Sequence, residues 1–204
     1  MTLEQMLRLA PVVPVLTVED EADAVPLGRA LVAGGLPMLE VTLRTPAAIG
    51  AIRRISAEVE GAVVGAGTVL TARDLDLAVD AGARFAVSPG LGEGSGPDGP
   101  IPLLPGVATA TEVMAALAAG FEYLKFFPAV PAGGVAMLKA FAPVFPKARF
   151  CPTGGVSVEN APEFLGLANV VCVGGSWVAP AAAVRAADWS RITELAQAAQ
   201  LLGA

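Results

Sequence analysis

The sequence has no histidine, three lysines, one tyrosine and two cysteines in 204 residues. Each scarcity removes a class of chemistry. Without imidazole, general acid–base work falls to Glu, Asp, Lys or Tyr. A transition-metal site is disfavoured on the same ground, and two thiols fall short of a structural zinc set. Metal-independent covalent catalysis gains weight, with no cofactor beyond the protein's own amine. Charged residues make up 16% of the chain, the net charge is −6, and no basic cluster stands anywhere in it. Nucleic acid and anionic membrane are therefore unsuited as partners. An anionic substrate would need positive groups placed locally. No Gly-x-Gly-x-x-Gly turn follows the first expected strand, which weighs against an open dinucleotide-binding sheet.

What is present is a core-rich chain. Hydrophobic residues reach 54%, enough for one large domain over residues 1–204. The expectation is a soluble cytoplasmic protein. Thr2-Leu3-Glu4-Gln5 reads as a capping box that opens a short N-terminal helix rather than a secretion signal. Pro11, Pro14 and Glu19-Asp20-Glu21 break up the next apolar run, which rules out a membrane span there. Cys151 and Cys172 both fall in expected strands and read as small buried hydrophobes of a reducing compartment.

Short β-branched runs alternate with alanine-rich helical stretches. Strands are expected at residues 12–18, 38–43, 62–66, 84–87, 101–104, 122–127, 148–151 and 169–173. Helices are expected at 20–33, 46–59, 72–81, 109–119, 134–141, 158–166 and 189–202. Alternating βα units imply parallel pairing with right-handed crossovers. Eight of them in one domain point to an α/β fold of the (β/α)8 TIM barrel type. The fourth helix is degenerate, because residues 91–100 are too rich in glycine and proline to hold one.

Polar residues recur where such a barrel places its chemistry, at the C-terminal ends of strands. Lys125 sits in the apolar run Tyr123-Leu124-Lys125-Phe126-Phe127-Pro128. Apolar walls disfavour an ammonium and so favour the nucleophilic amine, which is how a Schiff-base lysine is made. The plainer reading is a strand-end lysine whose ammonium reaches water. Side chains alternate faces along a strand. Glu40, Thr42 and Arg44 therefore share one face, and Leu39, Val41 and Leu43 the other. An ion pair that satisfies itself is one reading of the charged set. The functional one has Arg44 gripping a carboxylate and Glu40 moving protons. Gly65-Ala66-Gly67-Thr68 brings backbone close to something and offers a hydroxyl. Glycine-rich turns close Cys151-Pro152-Thr153-Gly154-Gly155 and Val173-Gly174-Gly175-Ser176. Turns after the seventh and eighth strands form phosphate sites in this fold, built from backbone N–H groups. The ligand implied is a phosphorylated 2-oxo acid.

Taken in order, Val41-Thr42-Leu43-Arg44-Thr45, Gly65-Ala66-Gly67-Thr68-Val69, Ser88-Pro89-Gly90, Lys125-Phe126-Phe127-Pro128-Ala129, Cys151-Pro152-Thr153-Gly154-Gly155 and Gly174-Gly175-Ser176-Trp177 resemble the KDPG/KHG aldolase family. Members split 2-keto-3-deoxy-6-phosphogluconate into pyruvate and glyceraldehyde 3-phosphate, and some act on 4-hydroxy-2-oxoglutarate. The resemblance implies Lys125 as the Schiff-base residue, Glu40 as general acid/base and Arg44 on the pyruvyl carboxylate. It implies Thr68 and Phe127 around the pyruvate end, Pro89 among the substrate-binding residues and Thr153 on the substrate chain. Gly154, Gly155, Gly174, Gly175 and Ser176 would hold the phosphate. It also implies a homotrimer, with residues 91–100 departing from the helix that relatives carry. Two alternatives stand beside it, namely the galactonate-derived epimer as substrate, and a non-catalytic sugar-phosphate-binding barrel.

Overall fold

The computed structural model describes residues 1–92 and 96–203, so residues 93–95 of the glycine-rich segment lie outside the described residues. Among the described residues there are nine short strands, most of them followed by a helix. They are β1 (Val12–Leu16), β2 (Met38–Thr42), β3 (Val63–Gly67), β4 (Ala86–Val87), β5 (Leu103–Leu104), β6 (Gly106–Val107), β7 (Tyr123–Phe126), β8 (Arg149–Pro152) and β9 (Val173–Gly175). Every pairing among the described residues is parallel. One run has the order β5-β4-β3-β2-β1-β9 and the other β6-β7-β8. Pro105 alone separates β5 from β6, and a single bridge, Thr153 to Gly174, joins the end of β8 to β9. The result is an α/β fold on a curled parallel sheet.

Two strands depart from their expected places for local reasons. The expected strand at 101–104 shortens to Leu103–Leu104, and an unexpected strand, Gly106–Val107, follows it; Pro105 between them has no N–H to give to the ladder, while its carbonyl accepts from Lys125 N at 2.8 Å. The expected strand at 169–173 lies later, at Val173–Gly175, with Val170 making one isolated bridge to Phe150. Between β4 and β5 no helix occurs among the described residues, as the glycine and proline content requires. A cavity of about 800 Å³ opens on that flank, lined by Val69, Leu75, Pro89, Leu91, Ile101 and Leu103.

Helix α1 (Leu3–Leu7) starts at Thr2 with the expected capping box to Gln5. It is followed by α2 (Glu21–Ala33), α3 (Ala48–Glu58), α4 (Ala72–Asp80) and α5 (Ala110–Ala118). Then come α6 (Gly134–Val144), which runs through Pro143 beyond its expected end, α7 (Ala161–Leu165), the unanticipated α8 (Ala181–Arg185) and α9 (Trp189–Gln200). Among the described residues no helix is long and apolar enough to cross a membrane.

The strand period of two divides the apolar residues into two cores. Leu39, Val41, Leu124, Phe126 and Phe150 point outward and pack under the helices. Met38, Phe85, Val87, Cys151 and Cys172 point inward, where α1 closes the floor with Met6 and Leu7. Phe126 meets Phe141 and Phe150 edge-to-face, with centroids 6.3 and 6.4 Å away. These aromatic pairs hold β7 rigid from behind and fix where its inward side chains project.

Candidate active site

Two residues above the apolar floor the inner face becomes polar. β2 carries Glu40 after Met38, and β7 carries Lys125 after Tyr123. Lys125 Nζ donates to Glu40 Oε1 at 3.0 Å, with the two residues only 5% and 3% exposed. A buried ammonium or carboxylate is tolerated only with such a partner. The lysine therefore does not reach out to water, and the ion pair that forms joins Glu40 to Lys125 rather than to Arg44. The Phe127 ring lies 5.2 Å from Nζ and forms an aromatic wall beside it. In so close a pair one proton can pass between amine and carboxylate, leaving a neutral nucleophile and a carboxylic acid ready to return the proton.

Arg44 stands just past the end of β2, exposed at the rim, and its Nε donates to Thr68 Oγ1 at 3.3 Å. Thr68 holds a left-handed backbone conformation, φ 60°, which a threonine adopts at some cost and which turns its hydroxyl toward Arg44. Among the described residues Arg44 makes no ion pair, so its guanidinium keeps donors for an incoming carboxylate. Thr42, fully buried on the same face as Glu40, donates to Leu16 O at 2.8 Å and ties β2 to β1.

The glycine-rich turns come together on the other side. Thr153 is buried, and a Cβ at Gly174 would collide with its hydroxyl and lie 3.0 Å from its methyl. Gly154 and Gly155 have φ of 100° and 79°, a region open to glycine. The N–H groups of Gly155 and Ser176 have no acceptor among the described residues, whereas the Gly154 N–H faces the Gly174 carbonyl across the Thr153–Gly174 bridge. Gly175 is glycine for a different reason, since a Cβ there would enter the ring of Trp177. Pro89 lies exposed beyond β4, and its carbonyl approaches Gly106 so closely that a side chain at 106 has no room. Gly106 is in register with Lys125, so this contact brings Pro89 beside the lysine's strand. The sequence reading passed over Gly106, for which an isolated Pro-Gly step gave no signal.

Cys151 and Cys172 are both buried and free. Contact with the Cys151 thiol, then burial, pushes the Cys172 thiol well above its ordinary range, so it serves as packing rather than as a thiolate. Among the described residues no group of three or more acidic, cysteine or histidine side chains is placed to hold a metal ion.

A buried amine paired with a buried carboxylate at the C-terminal ends of parallel strands defines a site for imine chemistry on carbonyl compounds. The comparisons agree. The sequence profile of the KDPG and KHG aldolase family matches residues 3–195, and the chain belongs to that family. It is 50% identical to the KHG/KDPG aldolase of Escherichia coli, over 96% of this chain and 93% of that one. A crystal structure of the KDPG aldolase of Legionella pneumophila, with pyruvate captured as a covalent carbinolamine intermediate, superposes with a TM-score of 0.94. The two are 47% identical, with 97% of each chain covered. The 2-keto-3-deoxy-6-phosphogluconate aldolase of Zymomonas mobilis with 3-phosphoglycerate gives 0.93 at 52% identity, covering 98% of this chain and 95% of that one.

Proposed function

We propose that this protein is a class I aldolase that cleaves 2-keto-3-deoxy-6-phosphogluconate to pyruvate and glyceraldehyde 3-phosphate. The observation that carries the reading is the buried Lys125–Glu40 pair, at 3.0 Å. A carbinolamine, as captured in the Legionella relative, requires an amine of this kind. Residues 1–204 form one domain in this reading. The fold is a (β/α)8 barrel, supported by the parallel order on both sides of Pro105 and by the bridge from Thr153 to Gly174.

The chemistry balances on one proton held by the pair. Neutral Lys125 attacks the C2 carbonyl carbon, and a proton moves from nitrogen to oxygen to give the carbinolamine. Protonated Glu40 gives its proton to the departing hydroxyl, water leaves and an iminium forms. The Glu40 carboxylate then takes the C4 hydroxyl proton. The C3–C4 bond breaks, its electrons pass to the iminium, and the aldehyde departs from an enamine. Glu40 protonates C3, and water returns to release pyruvate and restore the pair. Covalent attachment divides one hard carbanion step into easier ones.

Arg44 binds the pyruvyl carboxylate, with Thr68, Pro89 and Phe127 shaping that end. Thr153 meets the substrate chain, and the turns at Gly154–Gly155 and Gly174–Gly175–Ser176 receive the phosphate. The free N–H groups of Gly155 and Ser176 support this, as backbone donors can hold a dianion without a cation. The KHG/KDPG aldolase of Escherichia coli, 50% identical, favours 4-hydroxy-2-oxoglutarate as a second substrate. A cytoplasmic homotrimer fits two unpaired thiols and the exposed apolar Leu70, Leu77, Met114 and Val144.

The test is borohydride reduction in the presence of pyruvate, followed by peptide mass mapping. A reduced pyruvyl adduct on Lys125, absent without pyruvate and absent from Lys125→Ala, is the expected result. No adduct, or one on Lys139 or Lys147, would remove the basis for the assignment.

A further inference from the structure

The inner face of β3 carries no side chain at the level of the site. Its inward positions there are Gly65 and Gly67, in register with Glu40 and Thr42 of β2. Side chains from the neighbouring strands occupy the space instead. A Cβ at Gly65 would lie 2.5 Å from the Phe85 ring of the floor. A Cβ at Gly67 would lie 2.7 Å from Glu40 Cγ, 2.8 Å from Cδ and closer still to Oε1. The Glu40 side chain thus leans along the strand, across β3, and its carboxylate occupies the volume that any larger residue at 67 would fill. From there it receives the hydrogen bond of Lys125.

We infer that Gly67 is a positioning residue for the aldolase chemistry, the vacancy that lets the Glu40 carboxylate lie within reach of Lys125. This rests on the reading of the pair given above. The two glycines differ in what a methyl would meet. At 65 it meets a fully buried aromatic ring with nowhere to go. At 67 it meets the far end of a flexible side chain, while the backbone is held by the β2 pairing and by Leu43 N donating to Gly67 O at 2.8 Å. Gly67 lies in an extended strand, so alanine suits its backbone. The carboxylate, not the strand, is what must move. A displacement of about an ångström at a proton-transferring group costs on the order of 100-fold in rate.

Gly67→Ala tests this in two backgrounds, read by steady-state cleavage, by the rate of borohydride trapping with pyruvate and by melting temperature. With Glu40 present, kcat and the trapping rate should fall by about 100-fold, while KM stays within about twofold. In Glu40→Ala, adding Gly67→Ala should leave both the trapping rate and the melting temperature unchanged, because the group it displaces is gone. Equal losses in the two backgrounds would overturn the proposal, as would an unchanged kcat. So would a rise in KM alone, which would place the effect on Thr68 and Arg44 instead. If Gly67→Ala fails to fold, folding of the double variant supports the contact with Glu40 and its failure overturns it. Absence of trapping in the unaltered enzyme would sink the aldolase reading. The melting temperatures would then still decide whether residue 67 acts through Glu40.

Discussion

The floor and the mouth of the sheet's inner face lie two residues apart on the same strands and differ completely in character. Met38 gives way to Glu40, Tyr123 to Lys125, Cys151 to Thr153 and Cys172 to Gly174. Below, apolar groups pack with Met6 and Leu7 of α1. Above, charged and hydroxyl groups share the space with glycines. The strands' own alternation carries both sets on one backbone. A rigid element positions a reacting group better than a loop can. The division teaches that stability and chemistry here occupy successive inward positions, and it can be broken from either side.

The largest effect on stability should come from the floor. Phe85 is fully buried against Gly65. Phe85→Ala removes a ring with no side chain opposite to collapse into its place and should cost about 4 kcal/mol in urea unfolding. The molecules that remain folded should keep a kcat near that of the unaltered protein. Loss of kcat at constant folded fraction would mean that floor and mouth are not separable.

A smaller change in stability, with total loss of activity, is expected at the mouth. Lys125→Met leaves a buried carboxylate without its counter-charge and should destabilise by about 3 kcal/mol. Adding Glu40→Gln removes the orphaned charge and should recover most of that loss, with activity still absent. A double variant no more stable than the single one would show that the pair contributes to the fold itself.

This division was legible in part from the sequence. Period-two alternation put Glu40 and Thr42 on the face opposite Leu39 and Val41, and an amine in an apolar strand singled out Lys125. Their convergence at the strand ends was legible, but their direct pairing at 3.0 Å was not, since 85 residues separate them and the partner across a curled sheet depends on stagger rather than local pattern. Gly65 and Gly67 were visible as glycines, but what they made room for was not. The β-branched run at 170–173 suggested a strand there, whereas the ladder pairs Val173–Gly175, because Gly174 must lack a side chain beside Thr153. Propensity reports what a residue offers its own backbone, and close approach by another strand can override it.

Outside the mouth stand purely structural polar groups, and these give the smallest effect. After β6, Thr109 caps α5, and the Glu112 carboxylate accepts from the N–H groups of Ala108 and Thr109, both at 2.8 Å. The Ala108 N–H, with help from the Thr109 hydroxyl and N–H, holds this carboxyl below its ordinary value of 4.5. The folded state therefore favours the ionised form. The stabilisation is fully present above the unfolded-state value and fades as pH falls through the lowered one. Glu112→Gln keeps the shape of the box and loses the charge. At neutral pH it should lower stability by less than about 1 kcal/mol, because the carboxylate is largely exposed and screened. Thermal melts of the two proteins should converge as the pH drops below 4.5, and kcat should not change at any pH where both are folded. A gap that persists in acid would mean that the side chain acts through packing. A change in kcat would mean that even this outer polar group belongs with the chemistry of the mouth.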